Sequence, residues 1–234
     1  GVVEQVGIRE ELAYAGAPLV NTNGVNMLAP VLFRFGTPEQ QNEHLPKIAR
    51  SERMWAQGYS EPEAGSDLAA LKMTARRDGD HYVLDGQKQF ISGAGVSDVY
   101  VVMVRPGEAG PSGISTIVVE KGTPGFTVDR ALTKMGWHCS DTAQLSYVDV
   151  RVPVENLVGQ ENAGFYQIAE QFVVERIALA VHGYGIAARA LDLTAAYCQE
   201  RDTFGKPLVA NQVVRHALVE MRRQVEVARP YTRE

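Results

Sequence analysis

The sequence predicts an α+β protein in which a helical block, a β block and a second helical block follow one another. Three observations predict it. Residues 2–49 carry apolar positions at helix-compatible spacing. From Trp55 to about Val154, short β-runs recur between Gly, Pro and Ser turns with no helix between them, the pattern of a small antiparallel barrel or sandwich. After Gly159 the helical spacing returns through two long segments. We therefore expect a helical N-terminal domain over 1–53, a β-domain over 54–158 and a helical bundle over 159–234.

In the first block, Val2–Ala15 and Asn23–Phe35 read as helices, and Gly36 ends the second. Thr37-Pro38-Glu39-Gln40 opens a third that runs to about Ala49. Thr37 can cap it, Pro38 suits the first helical position and Gln40 completes a capping box. In the β block, His81–Ile91 reads as two β-runs around an Asp85-Gly86 turn. Val99–Val104, Ile114–Val119 and Ala143–Val152 are further runs. The last block holds a helix over about Asn162–Arg201, roughly 60 Å long at ~1.5 Å per residue. Gly205 and Pro207 break it, and a second helix runs from about Asn211 to Arg229.

Composition narrows the function. The chain has 234 residues, 45% apolar and 22% charged, enough for a sizeable core in a globular protein. Its net charge is −5 and its basic residues are scattered, so it carries no electrostatic footprint for nucleic acid. Cys139 and Cys198 have no ligand-like spacing and are expected to be reduced thiols of a cytosolic-type compartment. His44, His81, His138, His182 and His216 are dispersed, and no metal site is expected. The apolar helical stretch 163–198 contains Glu170, Glu175, Arg176, Arg189 and Asp192, so it is no membrane span. The chain begins at Gly1 rather than Met and reaches Glu234 within a helical pattern. It is expected to be part of a longer protein, and a missing targeting peptide then carries no weight.

Two segments carry chemistry. Tyr59–Asp67 combines small residues, hydroxyls and a Pro-fixed turn; small residues let backbone amides approach a ligand, and hydroxyls add adjustable hydrogen bonds. The same composition also suits an ordinary surface loop. On the long helix, Ile168, Phe172, Glu175, Leu179 and His182 fall on one stripe, so Glu175 interrupts a largely apolar face. Burial there raises a carboxylate's pKa, which suits a general base. The plainer alternative is a buried salt bridge to another helix. Arg176, as the adjacent residue, points elsewhere and is not its presumed partner. Two other positions also have plain readings: Phe90 within a strand as core, and Arg201 near a helix C-terminus as a macrodipole partner.

Gln57–Asp67 resembles the first signature of the acyl-CoA dehydrogenase family, S/T-E-P-x-A-G-S-D. Gly86–Gly95 resembles a second signature, and Glu200–Leu208 followed by Gln212 a third. Ile114–Gly125 and Lys134-Met135-Gly136-Trp137 also fit, so the resemblance runs in family order along essentially the whole chain. It implies FAD as cofactor, with Gln57, Tyr59 and Gly65 in a stretch that lies along the flavin. Ser60 would bond the pyrimidine edge of the isoalloxazine, and Ser66 would lie near the FAD pyrophosphate and bound CoA. Phe90, Ile91 and Ser92 would back the ring. Arg201 and Phe204 would meet the pyrophosphate and adenine of FAD held by a neighbouring subunit, with Gln212 also at the cofactor. Physical chemistry fits these roles: the Arg fork suits a pyrophosphate, and an aromatic ring stacks on a flavin or adenine.

Most members of the family carry their glutamate base beyond the residues present in this chain. A branch similar to isovaleryl-CoA and long-chain dehydrogenases places it on the long helix directly before an Arg, which here is Glu175 before Arg176. Ser66, Val173 and Arg176 are then expected at the substrate. Many members have Trp at the Phe90 position, Thr at the Ser60 and Ser92 positions, and Gly at the Glu63 position; the aromatic and hydroxyl chemistry is kept. Phe90–Gly95 and Ile114–Gly125 resemble branched short-chain members, implying a small or branched acyl group.

The implied activity is oxidation of an acyl-CoA to the trans-2-enoyl-CoA, with electrons passing to an electron-transfer flavoprotein. A homotetramer or dimer of dimers is implied, in the cytoplasm of a bacterium or in the mitochondrial matrix. Two alternatives share the sequence: an acyl-CoA or nitroalkane oxidase of the same fold, and a non-catalytic partner subunit in a mixed oligomer.

Overall fold

The structure is a computed structural model that describes residues 2–18, 20–107 and 109–233. In chain order it contains α1 (Val2–Ala15), a π-helical turn (Asn23–Leu28), α2 (Ala29–Phe35), α3 (Pro38–Ala49) and β1 (Trp55–Gly58). Strands β2 (Thr74–Asp78), β3 (His81–Ser92), β4 (Val99–Val104), β5 (Ser115–Glu120), β6 (Phe126–Ala131) and β7 (Thr142–Pro153) follow. Last come α4 (Gly164–Glu200), β8 (Asp202–Thr203), β9 (Lys206–Pro207) and α5 (Gln212–Arg233). They form two compact units, Val20–Phe172 and Gly1–Leu19 with Val173–Glu234.

In the first unit the local signals behave as their chemistry dictates. The Thr37 hydroxyl accepts the Gln40 N–H at 3.2 Å and the Gln40 side chain accepts the Thr37 N–H at 3.1 Å, closing the capping box that starts α3. The β-strands form two sheets, ordered β1-β4-β5 and β2-β3-β7-β6. All pairings in them are antiparallel except β1 with β4, which run parallel with Gln57 opposite Val101. The sheets pack face to face around one core that includes Tyr82, Leu84, Tyr100, Val102, Leu145 and Tyr147. Within it Phe126 stacks on Tyr147 at 4.8 Å and meets Tyr100 edge-on at 4.7 Å.

The other face of the β1-β4-β5 sheet is covered as well. Trp55, Val99, Val101, Met103 and Val118 pack with Leu28, Val31, Leu32 and Ile48 from the helical segments and with Ile168. A sheet buried on both faces needs apolar side chains in both directions, which is why Val99–Val104 is apolar throughout and wholly buried. Residues 20–53 therefore share their core with the strands, although their sequence pattern is helical.

Three expectations are corrected here. His81–Ile91 is not a hairpin around Asp85-Gly86: it lies in the single strand β3. The tight turn is at Gly79-Asp80, one Asp-Gly pair earlier, where Asp78 pairs with His81 and Gly79 has φ +64°. Second, β2 and β6 have no counterpart in the strands expected from the sequence; each turns only one residue, Ala75 or Phe126, fully inward. Third, the helix expected over Asn23–Phe35 begins as the π-helical turn.

The second unit packs Val6 of α1 against Val181 and Tyr184 of α4, with Ile177 and Ala228 alongside. A Cβ added at Gly185 would lie 2.8 Å from the Ala13 Cβ, so the glycine permits α1 and α4 to approach. The Glu10 carboxylate accepts from the Tyr184 hydroxyl at 2.7 Å, Arg229 Nε at 2.8 Å and Arg233 Nη2 at 2.6 Å. Burial pushes its pKa up, but these donors and the two cations outweigh it and leave the group below the usual carboxylate range. Among the described residues no helix is long and apolar enough to cross a membrane. Among them, too, no cluster of His, Cys, Asp and Glu could hold a metal ion. Cys139 is exposed and Cys198 is buried.

Candidate functional site

Within Val20–Phe172 the first and second motif segments form one wall. Strand β1 delivers Gln57 and Gly58 beside Val101 and Val102. Gln57 is half-buried, and its Nε2 is buried without a hydrogen-bond partner among the described residues. Tyr59 is buried, with its ring 6.4 Å from that of Phe172. Ser60 follows, half-buried, and its carbonyl accepts the N–H of Gln89 at 2.8 Å. The chain then turns tightly, with Glu61 and Ala64 exchanging backbone bonds of 2.9 and 3.2 Å. Gly65 and Ser66 are exposed beyond it. A Cβ at Gly65 would meet nothing within 4 Å, and its φ lies outside the left-handed region. The fold itself does not require a glycine there.

Phe90 is placed by a β-bulge. Lys88 pairs with Leu145 and Ile91 with Ala143, so β3 holds one residue more than β7 between these pairs. Simple alternation puts Phe90 on the core side with Tyr82, Leu84 and Lys88. The extra residue reverses the phase: Phe90 turns out at 65% exposure and Ile91 turns in at 3%. The core reading of Phe90 is thereby excluded. Its φ of +60° is an unfavourable conformation for a bulky side chain, and such strain collects at functional sites. Ile91 joins the intersheet core, so only its backbone faces the wall, contrary to a side-chain role at a ligand. Ser92 is exposed, and its carbonyl accepts from Asn23 Nδ2 at 3.3 Å.

Behind this wall lies a pair that sequence reasoning did not single out. Lys88 Nζ, fully buried, donates to Glu61 Oε1 at 2.9 Å and to the Tyr59 carbonyl at 3.0 Å. The Glu61 carboxylate also accepts the Lys72 N–H at 2.6 Å and the Met73 N–H at 2.9 Å. Burial lowers the Lys88 pKa to about 8, with Glu61 opposing the shift. One signal was available: Lys88 occupies an inward-facing phase of β3.

Within Gly1–Leu19 with Val173–Glu234, Glu175 is half-buried, and its Oε2 is buried without a hydrogen-bond partner among the described residues. Burial raises its pKa, while the positive charge of Arg176 pulls the other way. Val173 and Arg176 are exposed. The expected apolar stripe on α4 holds from Ile168 through Phe172 to Glu175, then fails: Leu179 is 60% exposed, and the buried row continues as Val181, Tyr184, Ala188 and Leu191.

Arg201 follows α4 directly and is exposed. Its carbonyl accepts the Leu208 N–H at 2.7 Å across the β8–β9 hairpin. At the hairpin tip Phe204 and Gly205 have φ of +53° and +72°, the sign a type I′ turn demands at both central positions. Phe there is strained, and its ring is 98% exposed. Gln212 is exposed at the start of α5. A cleft of about 200 Å³ elsewhere in this unit is lined by Glu10, Glu11, Tyr14, Gly185, Ala188 and Arg229, none of them a predicted site residue.

Comparison with known proteins places the whole chain. The acyl-CoA dehydrogenase N-terminal domain profile matches residues 1–52, the middle domain profile 56–150 and the C-terminal domain profile 162–234. Acryloyl-CoA reductase (NADH) of Anaerotignum propionicum is 37% identical over 98% of this chain and 59% of its own length. Mitochondrial isobutyryl-CoA dehydrogenase of Bos taurus is 38% identical over 87% of this chain and 49% of its own. Butyryl-CoA dehydrogenase of Megasphaera elsdenii superposes with a TM-score of 0.92 at 35% identity, over 99% of this chain and 61% of its own. The chain thus spans between half and about three-fifths of these proteins.

Proposed function

Since the chain belongs to the acyl-CoA dehydrogenase family, we propose that it binds FAD and oxidises a short or branched acyl-CoA to the trans-2-enoyl-CoA. The observation that carries the reading is the joined wall of Ser60 and Phe90–Ser92, with an aromatic ring held outward at a cost in backbone strain.

The residues present fit a flavin. The isoalloxazine needs donors at its pyrimidine edge and an apolar plane against its face. Gln57 Nε2 is a buried donor without a described partner, Ser60 adds a half-buried hydroxyl, and Phe90 offers an aromatic face. Gly65 leaves open space in the same loop, so a ligand can approach its backbone closely. We assign Gln57, Tyr59, Ser60, Gly65, Ser66, Phe90 and Ser92 to the cofactor, with Ile91 contributing backbone alone and Ser66 shared with the substrate. When bound, FAD supplies the acceptor for the hydride that leaves the substrate β-carbon.

Glu175 takes the α-proton. Its orphaned oxygen is free to accept it, and partial burial makes the carboxylate more basic than one in water. Arg176 favours the ionised form, keeping the group ready to receive a proton. Ser66, Val173 and Arg176 are assigned to the substrate. Arg201 and Phe204 are assigned to FAD of a neighbouring subunit, with Gln212 also at the cofactor. This requires more than one subunit, and a homotetramer or dimer of dimers is the proposed working form. An electron-transfer flavoprotein is the acceptor, and the three-part domain plan divides at residues 53 and 158. The name of the bovine relative supports the branched acyl group.

Anaerobic titration of the FAD-loaded protein with straight and branched acyl-CoAs tests this reading. Short or branched thioesters should bleach the flavin and yield the 2-enoyl product. A flavin that no acyl-CoA bleaches contradicts it, and stoichiometric peroxide in air would move the assignment to an oxidase.

A further inference from the structure

The flavin reading leaves one feature of its own wall unused. Glu61 and Lys88 belong to the first and second motif segments, and neither faces solvent. A buried ion pair is a poor source of net stability, because desolvating both charges offsets most of their attraction. Its geometry here is nonetheless specific. Lys88 fixes the Tyr59 carbonyl and the Glu61 carboxylate, and that carboxylate gathers the Lys72 and Met73 N–H groups. The next residue on β3, Gln89, fixes the Ser60 carbonyl, and Phe90 follows it on the bulge. Three successive residues of the loop are therefore each tied, at Tyr59, Ser60 and Glu61, to the strand segment that turns Phe90 outward.

We infer that the Glu61–Lys88 pair is the positioning element of the cofactor wall, locking the Ser60 loop to the Phe90 bulge so that both meet the flavin as one surface. The inference rests on the flavin reading above. Neither residue touches the cofactor; each acts through Tyr59, Ser60 and Phe90. Beyond this lock the loop is more open: Gly65 and Ser66 are exposed, the Glu61–Ala64 turn is closed by its own two backbone bonds, and the Lys72 Nζ contact to Glu63 at 2.6 Å lies between exposed side chains.

The test compares wild type, the neutral double variant Glu61→Gln with Lys88→Met, and the single variant Lys88→Met. Val152→Ala, a cavity in the same core away from the loop, serves as a control for general destabilisation. The double variant leaves no uncompensated buried charge and should fold, as circular dichroism in the far ultraviolet would verify. Two readouts follow, both on folded protein well below its melting temperature: the FAD dissociation constant of the apoprotein, and the visible circular dichroism of bound flavin at saturation. The double variant should bind FAD roughly tenfold or more weakly and give an altered flavin spectrum. Val152→Ala should match wild type in both. A double variant with wild-type affinity and spectrum overturns the inference and leaves the flavin reading intact. A control that shifts as far as the double variant also overturns it, since fold stability alone would then explain the effect. Wild-type protein that cannot be loaded with FAD sinks the flavin reading, and the inference with it.

Discussion

The carbonyl of Ser60 accepts the N–H of Gln89 at 2.8 Å, although 29 positions separate the two in the chain. That single bond places the loop after β1 against the strand whose next residue is the outward-turned Phe90. A wall built in this way has consequences that can be measured.

Phe90 trades stability for function. Its φ of +60° is cheap for glycine and costly for phenylalanine, and its ring is mostly exposed, so little core packing is at stake. Phe90→Gly should leave stability unchanged or raise it by up to about 1 kcal/mol, while weakening FAD binding. Urea unfolding of the apoprotein and flavin titration would read the two effects. A loss of several kcal/mol would mean the ring belongs to the core after all.

Gly86 has the opposite role. With φ +148° and an added Cβ only 2.8 Å from Met73 Cγ, it admits no side chain without moving the segment that donates to Glu61. Gly86→Ala should cost about 2 kcal/mol or more of unfolding free energy, read from the urea midpoint. A change within about 0.5 kcal/mol would show that the segment yields easily.

His44 gives the protein an acid limit. It is buried with its Nδ1 lacking a described partner, and its ring meets Trp55 edge-on at 4.9 Å. Burial lowers its pKa from 6.5, so below that pH the unfolded chain takes up a proton that the folded chain refuses. Stability due to this group is intact above pH 6.5 and is lost as pH falls through the lower folded value. Denaturant titrations between about pH 7 and pH 5 should show wild type losing more stability than His44→Gln. Parallel losses in the two proteins would remove His44 as the cause.

The structure also marks what the sequence can and cannot reveal. The Thr37–Gln40 capping box was legible because both partners lie within one turn. The three-block order was legible because each block repeats its own period. The outward turn of Phe90 was not legible in the strand pattern: alternation along β3 assigns it inward, the family resemblance alone put it at a flavin, and a bulge set by pairing with β7 turns it out. Lys88 was missed for a related reason, since a lysine in a strand reads as solvated until its distant partner Glu61 is known. β2 and β6 escaped because each buries a single residue fully, leaving no alternation to detect. Glu175 was singled out by the family resemblance and by periodicity; its partial burial agrees with the second, although the stripe ends before Leu179.

Glu175 as the proton acceptor is the central claim, and rapid mixing of FAD-loaded protein with a short acyl-CoA without oxygen tests it most directly. Glu175→Gln keeps the side chain's size and removes its basicity. The variant should bind FAD as wild type does and bleach its flavin at least about 100-fold more slowly. Bleaching at the wild-type rate would contradict the account.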